Sequence, residues 1–266
     1  MSRLVFPIAA LWFAFFTIIP ATPAQMPGES LNVALNQLFG TNTAFTAKAD
    51  MQVLDAARHE SMRTPLGFAF LNGRMRMDID LTQMKGKAVQ PGMISALKMG
   101  KLDQVATIVR PESKTTYLVF SGTKSYIATE LFGTDAAATE KNLQVQKSPV
   151  GKEAIDGHAC AKNHVLVRNS KGATLLEATT WNAADLKDFP VQIAVQAKDG
   201  TTMLHFKQIQ MARPSAAQFE PPAGYAKFTD WESLLDGASK KINAQKTPAP
   251  SPGKNPAPAN SGVTRK

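Results

Sequence analysis

Residues 73–81 read Gly-Arg-Met-Arg-Met-Asp-Ile-Asp-Leu, with apolar and charged side chains alternating without a break. On an extended chain Met75, Met77, Ile79 and Leu81 point one way, and Arg74, Arg76, Asp78 and Asp80 the other. Strand side chains repeat every two residues, whereas a helix would scatter these groups around its circumference. The stretch predicts a strand in a sheet with one buried and one wet face, the habit of antiparallel sheets. Asn72-Gly73 precedes it, a dipeptide suited to a tight hairpin.

The same period runs through much of the chain. Residues 43–55 alternate, with Phe45, Ala47, Ala49, Met51 and Val53 on one side. Further strands are predicted at 65–73, 103–111, 114–122 and 124–132. After a short helical stretch near 134–143, others follow at 147–157, 158–172, 173–183, 191–200 and 201–214. Asp156-Gly157 and Asp199-Gly200 are turn dipeptides. Short helices are expected around 28–40 (Leu31, Ala34, Leu35 and Leu38 on one face), at 91–99 and at 230–238. The sum is nine to eleven strands with two or three short helices. The expected fold is mainly β, a long curved antiparallel sheet or incomplete barrel with helices against its concave face.

The two ends differ from this pattern. Arg3 is followed by an uncharged apolar run from Leu4 to Ile19, then Pro20 and the small residues Ala21 to Ala24. That order is a secretory signal pattern, and the run is shorter than the ~20 residues a membrane-spanning helix needs. Residues 1–25 are read as a cleaved signal peptide, and 26–237 as one β domain. No cysteine lies near the cleavage site, so no lipidated N-terminal cysteine is expected. Residues 238–266 are rich in Pro, Ala, Ser and Asn and are read as a disordered tail. The tail holds six cations and no acid. With Arg3 these account for seven of the nine net positive charges, so residues 26–237 carry only +2. The overall charge is therefore no sign of nucleic-acid binding, although the tail can touch an anionic envelope surface.

Residues 151–167 gather the single cysteine, Cys160, with His158, His164, Glu153 and Asp156. As a metal site this fails on geometry. Six residues of strand separate His158 from His164, about 20 Å at ~3.3 Å per residue, whereas ligands must converge on one ion. As a nucleophile, Cys160 has His158 about 6–7 Å along the strand but no helix N-terminus or Gly-rich oxyanion loop. It reads as a small apolar residue packed inside. Ser121 is followed by Gly122 in a turn, without the G-x-S-x-G context of a hydrolase. No cofactor and no metal are expected.

The order of motifs along the second half is more informative. A Gly-Lys-Glu strand at 151–153, the Asp156-Gly157-His158 turn, Cys160, and a Trp181 strand come in sequence. They are followed by Asp-Leu-Lys-Asp-Phe-Pro at 185–190 and Phe-Glu-Pro-Pro-Ala-Gly-Tyr at 219–225. This order resembles that of secreted bacterial proteins related in fold to the periplasmic lipoprotein carriers, the LolA/LolB-like superfamily, over about residues 40–236. The resemblance implies an incomplete β-barrel lidded by helices over an apolar cavity that holds acyl chains. It maps no carrier residue onto this chain one by one; if the apolar strand face lines that cavity, Met51, Met75, Met77, Ile79 and Leu81 are the ligand-binding candidates. The chain has eleven methionines, and Met adapts to irregular apolar partners, though such residues equally fill ordinary cores.

The leading expectation is a secreted or periplasmic, non-enzymatic protein that binds a lipid, acyl chain or lipoprotein. The alternative is an envelope structural or interaction module whose interior is filled by its own side chains. A thiol-dependent enzyme using Cys160 is the third.

Overall fold

In the computed structural model, residues 34–87, 89–131, 137–139 and 142–237 are described. The expected signal peptide, the tail, Leu31 and half of the expected 134–143 helix lie outside them. The alternating stretches form two meanders. The first comprises β1 (Ala44–Asp55), β2 (Glu60–Leu71), β3 (Arg74–Asp80), β4 (Gln104–Arg110), β5 (Thr115–Phe120) and β6 (Ser125–Glu130). The second comprises β7 (Gln144–Ile155), β8 (His158–Arg168), β9 (Thr174–Ala183), β10 (Phe189–Ala197) and β11 (Gly200–Gln210). β11 pairs with β1, so the meanders join into one twelve-stranded sheet, ordered β12-β6-β5-β4-β3-β2-β1-β11-β10-β9-β8-β7. The extra strand is β12 (Ala226–Phe228), which runs parallel to β6. All other pairings are antiparallel.

The tight turns fall where the dipeptides put them. Asn72-Gly73 joins β2 to β3 with both φ angles positive, 50° and 88°, and Asp156-Gly157 joins β7 to β8 at 48° and 86°. Such turns match the right-handed twist of paired strands.

Register carries the alternation across strands. Phe45, Phe70, Met75 and Val109 are successive cross-strand partners, and each is almost wholly buried. The next row is Ala47, Phe68, Met77 and Thr107; the third is Ala49, Leu66, Ile79, Val105 and Phe120. This is the inner face. A 3₁₀ segment, Leu35–Phe39, lies on it. The ring of Phe39 lies between 4.9 and 6.0 Å from those of Phe45, Phe68, Phe70, Phe189 and Phe206. One ring touching β1, β2, β10 and β11 together requires the sheet to curve around it. Each buried Phe contributes about 1.5–3 kcal/mol, and edge-to-face pairs add about 0.5–1.5 kcal/mol.

The outer face is not uniformly wet, which departs from the reading of residues 73–81. Across β2 to β6 it carries Ala69, Leu71, Ala106, Ile108 and Val119, covered by the fully buried Phe219. Phe219 ends a 3₁₀ turn, Ala216–Phe219. Arg76 donates to the carbonyl of Gln218 at 2.9 Å and pairs with Asp78 at 2.6 Å. Arg110 pairs with Glu220 and Glu112, and Arg74 with Glu112 at 2.7 Å. Of the two arginines expected to stand in solvent, Arg76 therefore anchors the returning C-terminal segment together with Arg110, while Arg74 pairs with Glu112 beside β4. That segment then adds β12 to the β6 edge, and a helix at 231–237 brings Leu234 against Leu102, Phe120 and Ile127 on the inner side. It is a strap that crosses from one face of the sheet to the other. The helix α1 (Pro91–Met99) packs Leu97 into the same cluster. Among the described residues no helix is long and apolar enough to cross a membrane.

Candidate ligand-binding site

The methionines expected to line a cavity divide into three environments. Met75 is fully buried between Phe70 and Val109 and belongs to the packed core. Met51, Met77 and Ile79 are half-buried and pack against the edge of that core. Leu81 leaves the set: β3 ends at Asp80, and Leu81 opens a 3₁₀ turn, Leu81–Gln83. The cause is local. Asp80 accepts hydrogen bonds from Thr82 N at 2.9 Å, Thr82 Oγ1 at 2.6 Å and Gln83 Nε2 at 3.0 Å, which bends the chain out of the strand. The bond from the Thr82 hydroxyl leads in holding the Asp80 carboxyl down to about 2.

Open space on the inner face lies on the other side of Phe39. A pocket of about 460 Å³ sits between residues 37–42 and strands β7 to β9. Leu38, Phe39, Val145 and Val165 supply apolar walls, while Asn42, Thr180 and Asn182 are polar and buried. Lys147 and Asp188 pair at 2.7 Å on the same rim, both partly exposed. Met51 lies on the cross-strand row that leads to this pocket through Leu204, Ile193 and Thr180 to Asn163.

The polar residues are linked. Asn163 Nδ2 and Thr180 Oγ1 donate to Asn182 Oδ1 at 3.1 and 2.7 Å, and Asn182 Nδ2 donates to the carbonyl of Asp188 at 2.8 Å. Asn42 Nδ2 donates to the carbonyls of Phe39 and Lys187 at 3.0 and 3.3 Å. These bonds hold Lys187 and Asp188 in the left-handed region, at φ 55° and 59°. Sequence reading missed this site. Its only trace is that Asn163, Thr180 and Asn182 fall at apolar-face positions of their strands.

A larger depression of about 600 Å³ lies on the outer face. It forms where Gly67, flanked across the sheet by Lys48 and Asp78, has no side chain. Most of its charges have partners: Lys207 pairs with Asp50 at 2.8 Å, and Asp78 with Arg76. It is the more open and more charged of the two, and the inner pocket is the better candidate.

The Cys160 region is spread along its strand. His158 pairs with Asp185 at 2.6 Å, and His164 with Glu177 at 2.9 Å. The two histidines thus serve separate carboxylates. Cys160 is 3% exposed, and burial, with Asp185 and Glu153 nearby, pushes its thiol up. Glu153 accepts from Trp181 Nε1 at 2.7 Å and lies 3.4 Å from Lys162, whose ammonium stands 4.8 Å from the Trp181 ring centre. The Trp181 and Lys162 hydrogen bonds hold the Glu153 carboxyl below its usual range. At the β7–β8 turn, Asp156 lies 2.9 Å from His205 Nε2, out of hydrogen-bond alignment.

No family model matches the chain, and no curated protein matches it. Among solved structures it is similar to a LolA superfamily protein of Nitrosomonas europaea, with 10% identity, 72% of this chain and 96% of that chain covered, and a TM-score of 0.35. It is also similar to the lipoprotein LppX of Mycobacterium tuberculosis, at 13% identity, 68% and 93% coverage and a TM-score of 0.33. A third is LprF from Mycobacterium bovis, at 14% identity, 74% and 98% coverage and a TM-score of 0.32.

Proposed function

We propose that this protein is an exported, non-enzymatic binding protein for an acyl chain or a related apolar ligand. The observation that carries the reading is the pocket beside Phe39, which opens on the inner face between the apolar side chains of Leu38, Val145 and Val165. The half-buried Met51, Met77 and Ile79 pack against the same buried cluster as Phe39. Binding is driven by removal of apolar area from water, about 25 cal/mol per Å². The signal pattern in residues 1–25 supports an envelope location, checked by sequencing the N-terminus of the exported chain.

Uptake of a fluorescent fatty acid by delipidated protein, with native mass spectrometry of the protein as purified, tests the reading. Val165→Trp, which fills the pocket, is expected to abolish uptake. Absence of uptake by the unsubstituted protein, with no co-purifying lipid, overturns it.

A second reading rests on the aromatic cluster. Phe39 and its five neighbours fill the centre of the sheet, as a structural module would require. It is the conclusion to adopt if neither the unsubstituted protein nor Phe39→Ala takes up an apolar probe.

A further inference from the structure

We infer that the buried polar floor of the inner pocket is a head-group subsite for an uncharged hydrogen-bonding group, an amide or a hydroxyl, on the ligand. The inference rests on the acyl-binding reading and names the chemistry at the polar end of that ligand.

Six polar side chains are buried among the described residues: Asn42, Thr64, Ser125, Asn163, Thr180 and Asn182. Three of these six, Asn42, Thr180 and Asn182, line the inner-face pocket, and a fourth, Asn163 of β8, donates to Asn182 behind them. Placing polar atoms on the apolar face of a sheet costs free energy unless each is bonded, and small apolar residues would fill the same positions without that cost. Concentration at one cavity, rather than scatter through the core, marks the place where a polar group of a ligand would find partners.

The bonding pattern sets the kind of group. Asn182 takes two hydrogen bonds on its oxygen and gives one from its amide nitrogen to Asp188. An amide nitrogen has two hydrogens to give. The Thr180 hydroxyl spends its proton on Asn182, and its oxygen retains acceptor capacity. The floor thus offers one neutral donor and one neutral acceptor side by side, the complement of an amide or a hydroxyl. The rim charges Lys147 and Asp188 neutralise each other at 2.7 Å. Lys187 contributes its carbonyl, and its side chain is exposed. A carboxylate or ammonium entering the floor would lose water among neutral side chains, since the charged lining residues Lys147, Lys187 and Asp188 are exposed at the rim, and that loss is costly. At about 460 Å³ the cavity has the size of an ordinary small-molecule site, about 300–1,000 Å³.

The test is competition against a fluorescent acyl probe on delipidated full-length protein, with ligands matched in chain length. Palmitamide and monopalmitoylglycerol are the neutral heads, palmitate the anion and hexadecylamine the cation. The neutral pair is expected to bind roughly tenfold tighter than either ion, the size of effect that one or two buried hydrogen bonds supply. Thr180→Val, which keeps the shape and removes the hydroxyl, is expected to shrink that preference to about twofold while palmitate affinity stays the same. Asn182→Leu should act in the same direction. If palmitate binds as tightly as the neutral ligands, the subsite is overturned and acyl binding stands. If Thr180→Val lowers Tm but leaves the preference intact, the network is purely structural and the subsite is overturned. If no ligand displaces the probe because the probe itself does not bind, the acyl-binding reading fails first.

Discussion

The ring of Phe39 meets that of Phe45 edge-on, with 4.9 Å between centroids. Phe39 arrives from a five-residue 3₁₀ segment, Phe45 from the first strand. The same Phe39 ring closes one side of the inner pocket. It is therefore both core and wall. Phe39→Ala is expected to destabilise the fold by about 3–5 kcal/mol, read by urea denaturation. It should also join the vacated space to the pocket, so that a variant that remains folded in the cold takes up apolar probes more strongly. A loss smaller than about 1 kcal/mol would mean that the ring is not packed as described.

The C-terminal strap is held by two kinds of contact of unequal weight. Phe219 is fully buried against Ile108 and Val119, whereas Glu220 meets Arg110 with its own side chain 45% exposed. Phe219→Ala is expected to cost about 3–5 kcal/mol. Glu220→Gln is expected to cost no more than about 1 kcal/mol, since exposed ion pairs are weak. Thermal unfolding of the two variants checks the ranking, and a Glu220→Gln loss equal to that of Phe219→Ala would contradict it.

What the sequence displayed was local. The alternation at 45–53 and 74–80, the Asn72-Gly73 and Asp156-Gly157 turns and the helix at Pro91–Met99 each rest on neighbours a few residues apart, and all are present. What it concealed depends on distant partners. Arg74 and Arg76 look solvent-facing because nothing near residue 76 announces that Gln218 will lie across it. Three residues, Ala226–Phe228, are too few to display a period, so β12 was not foreseen. The pocket floor draws on Asn42, Asn163, Thr180 and Asn182, which come together only after β8 pairs with β9 and the 37–42 segment folds across them. Leu81 fits the alternation but not the strand, because Asp80 captures Thr82 and ends it.

Asp80 gives the fold an acid-sensitive point. Its carboxyl is held down to about 2, first by the Thr82 hydroxyl, against an unfolded value of about 3.9. A carboxyl depressed on folding stabilises the protein above its unfolded value, and that stabilisation is lost as pH falls through the folded one. The window is therefore between about pH 4 and pH 2. Asp80→Asn is expected to flatten the fall of Tm within this window and to cost about 1 kcal/mol near neutrality, after allowance for partial solvent screening. An unchanged acid profile would show that the carboxylate is not held as described.

Cys160 is 3% exposed, and burial pushes its thiol up. Both effects suppress thiolate, the reactive form. Native protein is expected to resist iodoacetamide near ~pH 8 and to be modified stoichiometrically once unfolded in concentrated urea. Cys160→Ala should leave ligand binding unchanged and alter stability by no more than about 1 kcal/mol, because the side chain acts as a small apolar filler. The hydrogen bond of the thiol goes to the His158 carbonyl, at 3.4 Å, and the His158 imidazole pairs with Asp185. Rapid labelling of the native thiol would mean that the strand opens around Cys160, and would return the thiol-dependent enzyme to consideration.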